Sequence, residues 1–320
     1  MSMESNSPEA PKILYDLSPF LKFFEDGSIE RLMGKVTHPP GWDPTTMVNS
    51  KDVFYSSQPN LTCRVYLPHH ASPNYKLPLL VYIHGGGFCV DSPASATYHN
   101  HLNRLVGEAN VVAVSVGYRL APEYPIPTAY EDSWTALKWV ASHASGGSED
   151  WISSYADLTR LFLAGDSAGA NICHHMMTRN SYEKLVGIDI VGTILVHPYF
   201  WSDDTLKNET TEPERRGLAA NMWRVAYPSS NGCNDGFINP DLDPNFGKLS
   251  CRKVLVIVAE EDFLRERGLY YCEKLKESGW KGVVEFMETK GEDHVFHLYK
   301  CESENAVTML KKMASFIKEE

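Results

Sequence analysis

The chain has no apolar run approaching the eighteen or so residues that a membrane span needs, and no block of basic residues. Acidic side chains number 41 against 30 Lys and Arg, a net charge of −11. That balance argues against nucleic acid and against an anionic membrane surface as partners. Paired C-x-x-C spacing is missing too. The seven cysteines, at 63, 89, 173, 233, 251, 272 and 301, are odd in number and scattered. They read as reduced thiols of a cytoplasmic protein, not as a disulfide framework. The sequons at Asn60 and Asn208 are then expected to go unused. Met1 to Lys12 is polar and proline-bearing, so no signal peptide is expected there. There is no internal repeat and no Gly-, Ser- or Pro-rich linker. With 43 % apolar residues, the expectation is one domain spanning residues 1–320.

What is present is an alternation of apolar, β-branched runs with helix-like segments, the pattern of a mostly parallel sheet covered on both faces. Strands are expected at Asp52–Ser56, Cys63–Leu67, Leu79–Ile83, Val111–Val116, Leu161–Ala164, Val191–Val196, Val254–Val258 and Val284–Met287. Helices are expected around Ala96–Ala109, Thr128–His143, Ala168–Arg179, Glu266–Ser278 and Ser303–Lys318. Residues 1–45 and 199–235 fall outside this alternation. Loops that long are usually functional, so both are expected to act as lids over the strand ends, where open α/β sheets bind ligands.

The most informative stretch is Gly165-Asp166-Ser167-Ala168-Gly169, between an expected strand and an expected helix. Gly-x-Ser-x-Gly in that setting is a nucleophile elbow, a turn so sharp that the serine is strained and its hydroxyl projects. A serine hydroxyl needs a base, and the base needs an orienter. In such sheets they follow in the order Asp or Glu, then His, on loops after later strands. Ala259-Glu260-Glu261-Asp262 ends one such strand, with Asp262 favoured over Glu260 and Glu261. His294 lies in the loop before the last helix, with His297 as its nearby rival. The histidines at 174, 175 and 197 lie in or beside core elements and read as hydrogen-bonded structural residues, although His175 could line the site. Adjacent histidines on a helix do not share a face, so no metal and no cofactor are expected. Upstream, His84-Gly85-Gly86-Gly87-Phe88 follows a strand. Its exposed N–H groups, with that of Ala168, can stabilise an oxyanion. No Lys-Ser/Thr or dinucleotide spacing follows to make it a phosphate loop.

Taken together, His84-Gly85-Gly86-Gly87-Phe88, Tyr118-Arg119-Leu120-Ala121-Pro122-Glu123, the elbow and the later Asp and His resemble the hormone-sensitive-lipase group of α/β-hydrolases. The opening Asp16-Leu17-Ser18-Pro19-Phe20, with Glu25-Asp26-Gly27-Ser28 and Glu30-Arg31-Leu32, is similar to its plant carboxylesterase branch. The resemblance runs from about Leu14 to the C-terminus. It implies an α/β-hydrolase fold, a carboxylesterase acting on small esters, and Gly86 and Gly87 as the oxyanion donors of the triplet. Members of that branch also include 2-hydroxyisoflavanone dehydratases, alkaloid cyclases and gibberellin receptors that have lost the histidine. Dehydratase members can carry threonine at the nucleophile, where this chain has Ser167. The Tyr118–Glu123 stretch is expected to be a structural turn with a buried Arg119–Glu123 or similar pair. Aromatic residues crowd the two lids, and Phe24, Phe88, Tyr199 and Trp223 are the expected pocket lining for a small hydrophobic or aromatic substrate.

Overall fold

The computed structural model describes residues 11–319, so the part of the expected lid in residues 1–10 lies outside the described residues. Three short strands come first: β1 (Ile13–Leu17), β2 (Leu21–Phe24) and β3 (Ile29–Arg31). They pair antiparallel as a small sheet of their own. The main sheet then begins with β4 (Trp42–Asp43), β5 (Val48–Ser57), β6 (Asn60–Pro68) and β7 (Leu77–Ile83). After α1 (Ala96–Ala109) come β8 (Val112–Val116), α2 (Thr128–Ser142), α3 (Asp150–Tyr155) and β9 (Ala156–Asp166). The second half runs through α4 (Ala168–Tyr182), β10 (Ile190–Val196), α5 (Pro213–Ala226), β11 (Lys253–Ala259) and α6 (Arg265–Glu277). It closes with β12 (Val283–Thr289), the short α7 (Phe296–Tyr299) and α8 (Glu304–Lys318).

Nine strands make the main sheet in the order β12-β11-β10-β9-β7-β8-β6-β5-β4. From β12 to β8 every pairing is parallel, and β6, β5 and β4 add antiparallel. Every residue of β8 is buried, as is β7 from Leu79 onward. That explains their unbroken apolar sequence, since parallel strands are covered on both faces. Leu102, Leu105 and Val106 of α1 share one core with Met309, Met313 and Phe316 of α8. Residues of α2, α4, α5 and α6 pack in the core on the opposite face. The α8 sequence shows why it is helical. Ser303 caps it by accepting from the Ala306 N–H, and Ala306, Met309, Met313 and Phe316 recur on one buried face.

All eight expected strands and all five expected helices are present, α1 at the expected bounds and the others with shifted ends; β9, for example, begins at Ala156. The two lid segments are more ordered than the sequence pattern foretold. Residues 13–31 are the small sheet, Trp42–Asp43 joins the main one, and the 199–235 excursion contains α5. No helix among the described residues is long and apolar enough to cross a membrane.

Candidate active site

Strand β9 sits between β7 and β10 and leads straight into α4. Ser167 occupies the junction at φ 51° and ψ −118°, a left-handed backbone that costs a non-glycine residue roughly 1–3 kcal/mol. Neighbours hold it there. Its N–H donates to the Val196 carbonyl at 2.9 Å, and its carbonyl accepts from the Tyr199 N–H at 3.0 Å. The helix starts so close to β7 that a Cβ on Gly169 would run into the Ile83 carbonyl.

Asp262 lies just past β11 and His294 five residues past β12. The structure brings both to Ser167. His294 Nε2 is 3.0 Å from Ser167 Oγ, and His294 Nδ1 is 2.8 Å from Asp262 Oδ2. Asp262 Oδ1 accepts from the Leu264 N–H at 2.9 Å, which fixes the carboxylate. Burial disfavours charge on His294, but the charge and hydrogen bond of Asp262 outweigh it and raise its pKa. Burial likewise opposes charge on Asp262, and His294 prevails to leave its pKa lowered. An imidazole so placed can take a proton from the serine while the carboxylate steadies the resulting cation. Glu260 instead pairs with Lys290 and accepts from Gly291, and the Glu261 N–H donates to the Glu292 carbonyl. His297 is buried with its ring 4.9 Å from that of His101, and neither of its nitrogens has a partner among the described residues.

The glycine triplet reaches the same place from β7. Gly86 and Gly87 have φ of +84° and +59°, and a Cβ on Gly86 would meet the Val90 carbonyl. Their N–H groups, and that of Ala168 at the α4 N-terminus, donate to no acceptor among the described residues. Buried polar side chains shape this loop. The Gly85 N–H donates to Tyr98 Oη at 2.9 Å, and Tyr98 in turn donates to Asp166 at 2.8 Å. Tyr82 donates to the other Asp166 oxygen at 2.8 Å. Burial pushes the Asp166 carboxyl up to about 6, although both tyrosines pull it down. Tyr118 donates to the carbonyls of His84 and Gly85 and stacks on the His84 ring at 4.2 Å. His84 stays in the loop, bonding the Gly85 carbonyl at 3.0 Å, and burial lowers its pKa to about 4. Arg31 of β3 clamps the far side by donating to the Cys89 carbonyl at 2.7 Å.

Some expectations need correction. The Arg119–Glu123 pair does not form: Arg119 binds Asp132, and Glu123 binds Arg31. Phe88, Tyr199 and Trp223 are 0 %, 4 % and 0 % exposed, and the rings of Tyr199 and Trp223 pack 6.1 and 5.9 Å from that of Phe88. Tyr199 Oη donates to the Ala219 carbonyl and Trp223 Nε1 to the Gly232 carbonyl, so the cluster fastens α5 to the body. Phe24 pairs with Ile13 within the small sheet. Two other side chains approach the reacting groups. Met222 of α5 lies against Gly87, close enough to collide with any Cβ there. The Phe263 ring is 6.0 Å from that of His294. The position of Phe263, next to Asp262, was its only signal in the sequence. His175 points elsewhere, bonding the Phe237 carbonyl beside a cavity of about 480 Å³ that Tyr130 and Arg179 also line.

Among the described residues, two groups of side chains are near enough together to hold a metal ion: His174, His175 and Asp243, and His197, Asp262 and His294. Hydrogen bonds already engage several of their nitrogens, although His174 Nε2 and His197 Nε2 have no partner among the described residues. His174 bonds Tyr271, His175 bonds Phe237, and both His294 nitrogens are taken.

A model of the alpha/beta hydrolase fold matches residues 80–298. Probable carboxylesterase 13 of Arabidopsis thaliana is 49 % identical, over 96 % of this chain and 98 % of that protein. The 2-hydroxyisoflavanone dehydratase of Glycyrrhiza echinata is 39 % identical, over 99 % of this chain and 100 % of that protein. Among solved structures, EstE1, a thermostable carboxylesterase cloned from a metagenomic library, is 30 % identical with a TM-score of 0.70. That match covers 88 % of this chain and 90 % of EstE1. By its sheet, its elbow and these relatives, the chain belongs to the α/β-hydrolase fold family, in the branch that holds the plant carboxylesterases.

Proposed function

We propose that this chain hydrolyses small hydrophobic or aromatic esters through an acyl-Ser167 intermediate. The observation that carries the reading is His294, shared between Ser167 at 3.0 Å and Asp262 at 2.8 Å. Ser167 Oγ attacks the ester carbonyl as His294 Nε2 takes its proton. The carbonyl oxygen becomes an oxyanion facing the N–H groups of Gly86, Gly87 and Ala168. As the ester C–O bond breaks, His294 returns the proton to the leaving alkoxide. Water then repeats the sequence on the acyl-enzyme, with His294 again the base, and the acid leaves as Ser167 regains its proton. Met222 and Phe263 beside the reacting groups support an apolar acyl or alcohol portion. Seven unpaired cysteines support a cytoplasmic location.

A second reading, loss of water from a hydroxyisoflavanone at the same site, draws on the 39 % identity to the dehydratase. Ser167 and the higher identity to probable carboxylesterases favour hydrolysis. A hormone receptor is the weakest reading, because Ser167, His294 and Asp262 are all present and in contact. The test is a fluorophosphonate probe and a burst assay on an aryl acetate, with Ser167→Ala as control. We expect label on Ser167, a burst of alcohol equal to the enzyme, and a turnover loss of about 10⁶-fold in Ser167→Ala. Dehydration of a hydroxyisoflavanone with no burst and no label would overturn the esterase reading.

A further inference from the structure

We infer that His197 is a positioning residue that sets His294 against Ser167, an inference that rests on the catalytic reading above. The end of β10 and the residues after it bond Ser167 and the residue next to His294. Val196 accepts from the Ser167 N–H, and two residues beyond His197 the Tyr199 N–H donates to the Ser167 carbonyl. Between these two grips, His197 Nδ1 accepts the Val295 N–H at 2.8 Å. Val295 directly follows His294. One short stretch of chain therefore holds the serine by its backbone and the histidine loop by a side chain.

The backbone on both sides of that bond is strained. His197 has φ 44° and Val295 φ 46° and ψ 31°. For a β-branched residue the left-handed region is an outlier that only a firm local constraint sustains. The N–H of Val295 is aimed at His197 by that conformation, and the bond in turn keeps it. His197 is anchored by its own N–H, which donates to the Ile257 carbonyl of β11 at 2.8 Å. Its ring is 5.8 Å from that of His294, tilted by 41°.

Accepting from an amide requires Nδ1 to be unprotonated, so the neutral ring carries its proton on Nε2. Burial favours that neutral form and lowers the pKa to about 4, against the pull of Asp262 and with the push of His294. His197 thus remains an acceptor at every pH where His294 can serve as a base. It also adds no positive charge beside His294. His297, the other titratable ring facing it, is likewise held neutral by burial.

Three variants test the role. Asparagine tolerates a left-handed backbone and has Oδ1 close to where imidazole places Nδ1, so His197→Asn keeps an acceptor. His197→Phe keeps a ring and removes the acceptor. His197→Ala removes it without adding bulk and is read in the same way where the phenylalanine variant does not fold. We expect the variants without an acceptor to lose about 10- to 100-fold in kcat on an aryl acetate, as a small misplacement of a catalytic group does. KM stays within about twofold, because acylation and deacylation both use His294 and slow together. His197→Asn recovers most of the loss. A second readout needs no turnover: the far-downfield proton resonance of the His294–Asp262 hydrogen bond shifts or broadens in the variants without an acceptor and persists in His197→Asn. Equal kcat in folded His197→Phe and wild type overturns the inference, as does an equal loss in all three variants. A wild type without esterase turnover overturns the proposed function, and the proton resonance then still decides the role of His197.

Discussion

At the scale of single residues the site is an exercise in opposed electrostatic effects. His294 is buried, which disfavours its cation, yet Asp262 raises its pKa above the ordinary 6.5. The base must be neutral to accept the serine proton. A raised pKa means that it protonates sooner as pH falls, so kcat/KM for an aryl ester is expected to fall off with an apparent pKa above 6.5. Asp262→Asn removes the carboxylate and leaves the burial. The midpoint is then expected below 6.5, with kcat about 10⁴-fold lower. A pH profile of both proteins checks this, and a wild-type midpoint at or below 6.5 contradicts it. The reacting residues were legible in the sequence because their chemistry fixes residue type, chain order and position at strand ends. The supporting residues were not. His197 read as a hydrogen-bonded structural histidine, and nothing in its neighbours names Val295 as its partner. The Arg119–Glu123 pair gave way to others for a related reason: Arg119 pairs with Asp132 of the following helix, and Glu123 with Arg31 of the N-terminal sheet.

At the scale of elements, the parallel strands were readable as short unbroken apolar runs, because both their faces are buried, and the helices that cover them by the period that one buried face imposes. Helix α5 was not. Its sequence, Pro213–Ala226, mixes Glu214, Arg215, Arg216 and Gly217 with apolar residues, and its buried residues are confined to the part from Ala219 onward. Pro213 at its first turn was a start signal. The small sheet escaped for want of length, since strands of three to five residues give little alternation to count, though Asp26-Gly27 marks its second turn. What α5 brings to the site is Met222 over Gly87. Met222→Ala is expected to open that roof. Activity on branched or longer acyl esters relative to acetate rises several-fold, and stability falls by about 2–5 kcal/mol for a buried methionine. An acyl-chain series and a thermal melt measure both. An unchanged acyl preference would remove Met222 from the pocket wall.

At the scale of the whole molecule, the N-terminal sheet is part of the body rather than a detachable cover. Leu17 and Leu21 are buried in the same core as α2, α4 and α5. Removing residues 1–24 takes both away, a loss of roughly 3–6 kcal/mol at about 1.5–3 for each buried leucine. We therefore expect the truncated protein to melt several degrees lower, and to lose turnover on acetate as well as on bulky esters as Arg31 loses its paired strand. A melt within a degree of the full chain would show the sheet to be a mere cover. The parallel sheet has a further consequence, for the order of events in folding. The bond between Ser167 and His294 joins residues 127 positions apart, and the one between Tyr82 and Asp166 spans 84. Contacts so distant in sequence bear the full entropy of closing long loops and form slowly. Ser167 can exist as an activated nucleophile only after β12 has docked at the far edge of the sheet and carried His294 into place. Until then the serine lacks its base, so the newly made protein stays chemically silent until its last strand is home.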